Sequence, residues 1–314
     1  MSCMLQLEGL TKQFGAFTAV NNISFSVNRG EVLGFLGPNG AGKTTAMRMV
    51  TGFLPPTSGT VTVNGFDVSR QPIEVKRRIG YLPEGAPLYE DMTPLELLSY
   101  ISDVRRILGQ AKRDAIAKAA SDINIEPVMH QTIGTLSKGY KRRVGIAQAI
   151  LHDPEILILD EPTDGLDPNQ KHEVRKLINN MAENKVIVIS THLLEEVEVV
   201  CSRAIVISAG NIVADCSPAE LGAQSSYHNA VTIRVSEAQV DICKGYLDAL
   251  DVVERVDLIG QRDGLAELVA FPKSGNTILD QVNRNLRVNE IDVEEVRVEQ
   301  GRLDEVFRRI TTTV

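Results

Sequence analysis

Apolar residues along this chain change their spacing several times, and each change predicts an element. Residues 31–37 (EVLGFLG), 155–160 (EILILD) and 186–190 (VIVIS) are short apolar runs, rich in β-branched side chains. Runs of that length and composition predict buried strands. Between the last two, Val174, Leu177, Ile178 and Met181 fall on one helix face. Strand, helix, strand predicts parallel pairing through right-handed crossovers. Residues 93–124 read differently. Leu95, Leu98, Ile101, Val104 and Leu108 recur at helical spacing, followed by AKRDAIAKAA. That pattern predicts a helical insertion.

Polarity rises over residues 217–228 (SPAELGAQSSYH), which places a domain boundary there. Beyond it Val231, Ile233 and Val235 alternate as a strand. Val240, Cys243, Tyr246, Leu247 and Leu250 form a helix face. Strand-like runs follow at 252–259 and 265–271, separated by a glycine-containing turn. Ile278, Leu279, Val282 and Leu286 make a second helix face, 291–298 a last strand, and Leu303, Val306, Phe307 and Ile310 a terminal helix. The order βαββαβ matches the ferredoxin-like arrangement. The expected organisation is an α/β domain over 1–220, with 85–150 as a helical subdomain, and a small α+β domain over 228–314.

Length agrees, since 314 residues suffice for two cored domains. A hydrophobic fraction of 43% with 24% charged residues excludes a disordered chain. No apolar run reaches the roughly 18 residues needed to cross a bilayer, so the chain forms no pore by itself. The start, MSCMLQLEGL, lacks the basic-then-apolar pattern of a secretory signal. Cys3, Cys201, Cys216 and Cys243 have no metal-type spacing and read as reduced thiols of a cytoplasmic protein. Net charge is −8, and residues 221–314 alone hold 11 Lys+Arg against 16 Asp+Glu. That balance argues against nucleic acid as the main partner.

Candidate chemistry begins at residues 37–44, GPNGAGKT, which satisfy G-x-x-x-x-G-K-[ST] between a strand pattern and a helix pattern. In Gly37, Pro38, Asn39, Gly40, Ala41 and Gly42, the glycines let backbone N–H groups converge on phosphate oxygens, and a helix N-terminus adds its dipole. Lys43 can reach the β- and γ-phosphates, and the Thr44 hydroxyl, with Thr45 beside it, can ligate Mg²⁺. A dinucleotide fingerprint fails, because no third glycine follows at the required spacing. ILILDEP ends a strand on Asp160 and Glu161. Adjacent acids at a strand end are often a solvated turn. Beside a phosphate loop, Asp160 is placed to hold Mg²⁺ through water, and Glu161 to polarise a water as general base. The parallel arrangement is expected to bring that strand end to the phosphate loop of a neighbouring strand. His192, which follows VIVIST, can contact the γ-phosphate and orient the water. Alone it would be an ordinary loop or core histidine.

Together these residues resemble the ATP-binding cassette (ABC) ATPases over roughly the first two thirds of the chain. Phe14, in TKQFG, is similar to the aromatic that stacks on adenine in that family, with a core aromatic as its other reading. LSKGY at 136–140 resembles the signature LSGGQ. Ser137 and Gly139 match; Lys138 and Tyr140 depart. In the family this segment contacts the γ-phosphate held by the opposite subunit, where Lys138 either adds charge or points to solvent. Gly165-Leu166-Asp167 looks like the D-loop, which crosses between subunits. Glu84, in IGYLPE, stands where the family usually has a glutamine. A carboxylate can hold a Mg²⁺ water but cannot donate an amide hydrogen bond.

The resemblance implies ATP and Mg²⁺ as ligands and two domains sandwiching two ATP, as a homodimer or a heterodimer. ATP closes such a dimer and hydrolysis reopens it, driving a partner. IGYLPE, LSKGY and the terminal RLDEVFRRIT resemble ATP-binding subunits of ABC-2-type exporters, among whose relatives are gliding-motility and drug-export components. That implies a separate multi-span permease, a peripheral location on the inner face of the cytoplasmic membrane, and a groove in residues 85–135 for a permease helix. Two alternatives have different partners. One is an ABC ATPase driving a non-transport activity through a membrane partner. The other is a soluble nucleic-acid or ribosome-associated ABC ATPase, but the sequence lacks the coiled-coil or zinc inserts of such proteins. The C-terminal domain reads as a dimer-stabilising or cassette-packing module, or as a regulatory ligand site. Asp292, Glu294, Glu295 and Glu299 read as a solvated face.

Overall fold

The computed structural model describes residues 3–85 and 87–312. The extreme ends of the two expected domains, and Ala86 within the 85–150 segment, lie outside the described residues. The first compact unit runs through Pro218, and the second is Ala219–Ile310.

In the first unit β1 (Cys3–Phe14) turns back antiparallel on β2 (Phe17–Asn28). Val20, Ile23, Phe25 and Val27 of β2 are buried while intervening residues are more open, as a half-buried strand requires. The chain continues through β3 (Val32–Leu36), α1 (Lys43–Val50), β4 (Ser58–Val63), β5 (Phe66–Asp67), α2 (Pro72–Arg78) and β6 (Ile79–Leu82). The insertion follows as α3 (Pro94–Val104) and α4 (Gly109–Asp122), and then α5 (Lys138–Ile150). The chain then runs through β7 (Ile156–Asp160), α6 (Pro168–Ala182), β8 (Val186–Thr191), α7 (Leu194–Val200), β9 (Arg203–Ser208) and β10 (Asn211–Cys216), and the short α8 (Pro218–Gly222) begins at the boundary between the units.

Two sheets result. A four-stranded antiparallel sheet has the order β2-β1-β4-β5, and a six-stranded sheet the order β10-β9-β3-β8-β7-β6. In the second, β9, β3, β8, β7 and β6 are parallel. All residues of β3, β7 and β8 are buried, which is why they read as unbroken apolar runs. One apolar cluster joins Leu7, Val27 and Val61 of the first sheet to Phe35, Met47, Ile158 and Val188 of the second layer.

Two expectations need correction, and one sheet was missed. The antiparallel sheet is absent from the sequence reading, because its strands carry irregular register shifts that break strict alternation. The strand ending in Asp160 is not next to β3; β8 lies between them. The stripe Leu95–Leu98–Ile101–Val104–Leu108 is not one buried face. The helix stops at Val104, Arg106 takes φ 60°, and Val104 and Leu108 are exposed. Of the stripe only Leu98 is buried, beside Leu97 and Ser102, and Thr93 caps α3 in a reciprocal capping box with Glu96.

His152, just beyond α5, has its Nε2 3.1 Å from the Ile79 carbonyl. Burial, aided by nearby Arg105, pushes its pKa down to about 4. The folded state therefore prefers the neutral ring. Its contribution is intact above the unfolded value near 6.5 and is lost as pH falls towards 4. Expected is a loss of about 3 kcal/mol of unfolding free energy between pH 7 and pH 4 that His152→Gln does not share, read by urea denaturation.

The second unit contains β11 (Val231–Ser236), α9 (Val240–Asp248), β12 (Val253–Arg262), β13 (Leu265–Pro272), α10 (Leu279–Val288) and β14 (Val293–Val298), with α11 (Leu303–Thr312) beginning within it. Sheet order is β12-β13-β11-β14, all antiparallel, the order of a ferredoxin-like fold. Val231, Ile233, Leu268, Cys243, Val282 and Leu286 form its core. The acid-rich strand is less solvated than its composition suggests. Glu295 pairs with Arg234 at 3.4 Å, and Glu299 accepts from Thr232 and Arg297.

Candidate active site

The chain leaves β3 into the glycine loop and re-enters regular structure at Lys43. Gly42, the N-cap of α1, has φ 106°, and a Cβ there would collide with the Ala19 carbonyl. Glycine is the residue that this approach allows. Lys43 is 6% exposed. Its Nζ donates to the Gly37 carbonyl at 2.7 Å and lies 3.5 Å from Glu161 Oε1. The lysine is thus folded over its own loop and paired with the carboxylate across it.

Glu161 adopts φ 49°, a left-handed conformation unusual for a non-glycine residue. Its N–H donates to the Ser190 carbonyl at 2.9 Å, and its own carbonyl accepts from Asp164 N–H at 3.2 Å. Those bonds hold a backbone geometry that costs about 1–3 kcal/mol, a cost typical of functional turns. Glu161 Oε2 is 2.9 Å from His192 Nδ1. With the proton on Nδ1 the ring donates to the carboxylate and presents Nε2 as an acceptor. The strand order explains the meeting: β8, which ends beside His192, is adjacent to β7.

Asp160 is fully buried. The Ser190 hydroxyl donates to Oδ1, while Oδ2 has no hydrogen-bond partner among the described residues. Burial raises its pKa; the Ser190 and Thr44 hydroxyls and Lys43 oppose the rise, and Glu84 adds to it. An unpaired buried carboxylate oxygen near a threonine hydroxyl and a second carboxylate is an all-oxygen donor set, which suits Mg²⁺. Among the described residues no three acidic, histidine or cysteine side chains form a metal cage.

A cleft of about 400 Å³ brings together Phe14, Pro38, Asn39, Gly40, Gly42, Lys43, Thr44, Thr45, Glu84 and Glu161. Phe14 is 50% exposed, with Lys12 Nζ 5.2 Å from its ring centre, so it is not a core aromatic. Ser137, Gly139 and Asp167 do not line this cleft. Ser137 caps α5 by accepting from Tyr140 N–H at 3.3 Å. Gly139 packs so closely that a Cβ would lie 2.6 Å from Gln170. Asp167 caps α6, accepting from Gln170 N–H at 2.9 Å. Lys138 is exposed.

Two residues escaped the sequence reading. Phe17 lines the cleft and is 63% exposed; its signal was the aromatic pair in FGAF. Arg142 is buried, with Nη1 unpartnered among the described residues. Burial lowers its pKa, countered by Asp164, Glu161, Asp160 and Glu84. Only the run KRR after the signature pointed to it.

A separate groove of about 680 Å³ has an apolar floor that includes Phe53, Ile79, Tyr81, Ile101 and Val104. Its charged lining residues are Arg48, Lys76 and Arg105, and among the described residues no acid lines it. Burial, with help from Asp160, pushes the Tyr81 hydroxyl up to about 12. The Tyr81 hydroxyl is buried, with no hydrogen-bond partner among the described residues. A hollow of about 610 Å³ near Asp153, Glu155 and Lys185 sits at the opposite ends of the strands from the phosphate loop.

A strand–glycine loop–helix unit facing acids on a nearby parallel strand defines a P-loop nucleotide-binding cassette. The ABC transporter family pattern matches residues 20–164. The linearmycin resistance ATP-binding protein LnrL of Bacillus subtilis (strain 168) is 30% identical, across 98% of this chain and 98% of the relative. The probable multidrug ABC transporter ATP-binding protein YbhF of Escherichia coli (strain K12) is 35% identical across 71% of this chain. The match spans 39% of that relative's length. The solved structure of cbiO1 from Clostridium perfringens, part of the ABC transporter complex cbiONQ, superimposes with a TM-score of 0.65 at 29% identity. That match covers 71% of this chain and 92% of the other. The chain belongs to the ABC transporter ATP-binding family, a class of ATPases.

Proposed function

We propose that the chain is the ATP-hydrolysing subunit of a membrane exporter, dimerising around two Mg-ATP and powering a separate permease. The observation that carries this is the Lys43–Glu161–His192 chain of contacts at the mouth of the phosphate loop. In this reading Lys43 leaves Glu161 for the β- and γ-phosphates when ATP enters. Thr44, Asp160 and Glu84 are the residues that would hold Mg²⁺ or its waters. The ion supplies charge neutralisation on the phosphate oxygens when bound. Glu161 accepts a proton from water as the water oxygen attacks the γ-phosphorus, and the bond to the ADP oxygen breaks. His192 holds the carboxylate and presents its free nitrogen to the γ-phosphate. Phe14 and Phe17 offer faces to the adenine. Ser137, Gly139 and Asp167 act on the nucleotide of the opposite subunit, which fits their position outside this cleft. Two copies of the chain supply two complete sites.

Export is supported by the drug-resistance relatives. No helix among the described residues is long and apolar enough to cross a membrane. A permease subunit and a peripheral position on the cytoplasmic face complete the proposal. The groove floored by Phe53 and Tyr81 receives the permease. Its basic lining selects a short amphipathic helix that carries carboxylates.

The test is a pull-down with tagged Glu161→Gln, held with ATP, from solubilised membranes of the protein's own host. A stoichiometric multi-span protein is expected, with recovery cut about tenfold or more by Phe53→Ala combined with Arg105→Glu. Recovery with ribosomes or nucleic acid alone would overturn the exporter assignment.

A further inference from the structure

Behind His192 lies a buried carboxylate that the proposed hydrolysis does not use. Glu196, in α7, is 2% exposed. Its Oε2 accepts the Thr191 hydroxyl proton at 2.6 Å. The same hydroxyl oxygen accepts from Leu193 N–H at 3.0 Å. Thr191 and Leu193 are the two neighbours of His192, so one hydroxyl ties both sides of the histidine. A threonine hydroxyl has a single proton. Committing it to Glu196 sets the rotamer that leaves a lone pair for Leu193. Glu196 N–H donates to the Leu193 carbonyl at 3.2 Å, closing the turn from below.

The bland explanation is that Glu196 simply anchors α7. It fits poorly. Anchoring to α6 is already supplied by the largely exposed Glu195, which meets Arg175 at 2.7 Å. Glu196 shares its buried surroundings with Val197 and Val200, where an apolar side chain packs at least cost. Its second oxygen, Oε1, has no hydrogen-bond partner among the described residues. A half-satisfied buried carboxylate persists where it does something an apolar residue cannot, and its one strong bond is to the residue preceding His192.

We infer that Glu196 is a positioning residue for hydrolysis: through Thr191 it sets the His192 loop so that Nδ1 stays on Glu161. The inference rests on the proposed roles of Glu161 and His192.

The experiment measures ATP turnover and nucleotide affinity for Glu196→Ala, Glu196→Gln and Thr191→Val, each in the native and in the His192→Ala background. Glu196→Ala and Thr191→Val are expected to lower kcat by about 10- to 100-fold, the scale of a misplaced catalytic group. The KM for ATP stays within about two-fold, because no ground-state contact is lost. Glu196→Gln, whose amide oxygen still accepts the threonine proton, recovers most of the rate. In the His192→Ala background Glu196→Ala brings no further loss. An equal loss in both backgrounds would overturn the inference and leave the His192 role standing. So would a Glu196→Gln variant that folds and binds ATP normally yet turns over as slowly as Glu196→Ala. If His192→Ala itself turns over normally, the hydrolysis reading falls first and the inference with it.

Discussion

Glu161→Gln is expected to cut ATP hydrolysis by about 10²- to 10⁴-fold, the usual contribution of a positioned general base. ATP binding is expected to survive and to tighten. The native carboxylate sits 3.5 Å from Lys43 Nζ, with both side chains nearly buried, so it competes with phosphate for the lysine's charge. Glutamine keeps the shape, and its amide oxygen still accepts from His192 Nδ1–H. The left-handed backbone at this position is held by main-chain bonds to Ser190 and Asp164, which the substitution leaves in place. Phosphate release and equilibrium titration with a fluorescent ATP analogue separate the two effects. Native turnover in this variant would remove Glu161 as the base.

Lys43→Ala is expected to weaken ATP binding by about 10- to 100-fold, the loss of a charge-assisted contact to phosphate. A second effect follows from the ion pair. Removing the ammonium leaves the Glu161 carboxylate, 8% exposed, without its cation. Breaking a buried pair from one side costs about 3–5 kcal/mol, so the melting temperature falls as well. Combining Lys43→Ala with Glu161→Gln removes the stranded charge. That double variant is expected to regain most of the stability and none of the affinity. Calorimetry and nucleotide titration on the same samples check both halves. Unchanged affinity in Lys43→Ala would reject the phosphate-loop assignment.

How far the sequence carried depended on the distance between interacting residues. The phosphate loop was legible because its chemistry lies within eight consecutive residues, and glycine dictates the local backbone. β7 and β8 were legible because burial on both faces demands continuous apolar runs. The βαββαβ order of the second unit was readable for a similar reason: its alternations and its glycine turn are local. The 95–108 stripe misled because Ile101 and Val104 floor an open groove, where apolar residues face outward. Periodicity reports an apolar face without saying what covers it.

The chain's own order of residues thus determined the phosphate-binding loop, the acids at a strand end and the βαββαβ pattern. Each of these is encoded within a few turns of backbone. Convergence needed the tertiary structure. His192 reaches Glu161 across 31 residues because β8 inserts between β3 and β7. Arg142 is buried with Nη1 unpartnered among the described residues, and Glu196 is spent on Thr191, because of how α5 and α7 pack. The basic groove is assembled from residues of α1, α2, β6, α3 and α5. Strand order and helix packing decide such meetings through contacts between segments far apart in the chain, and no local spacing encodes them.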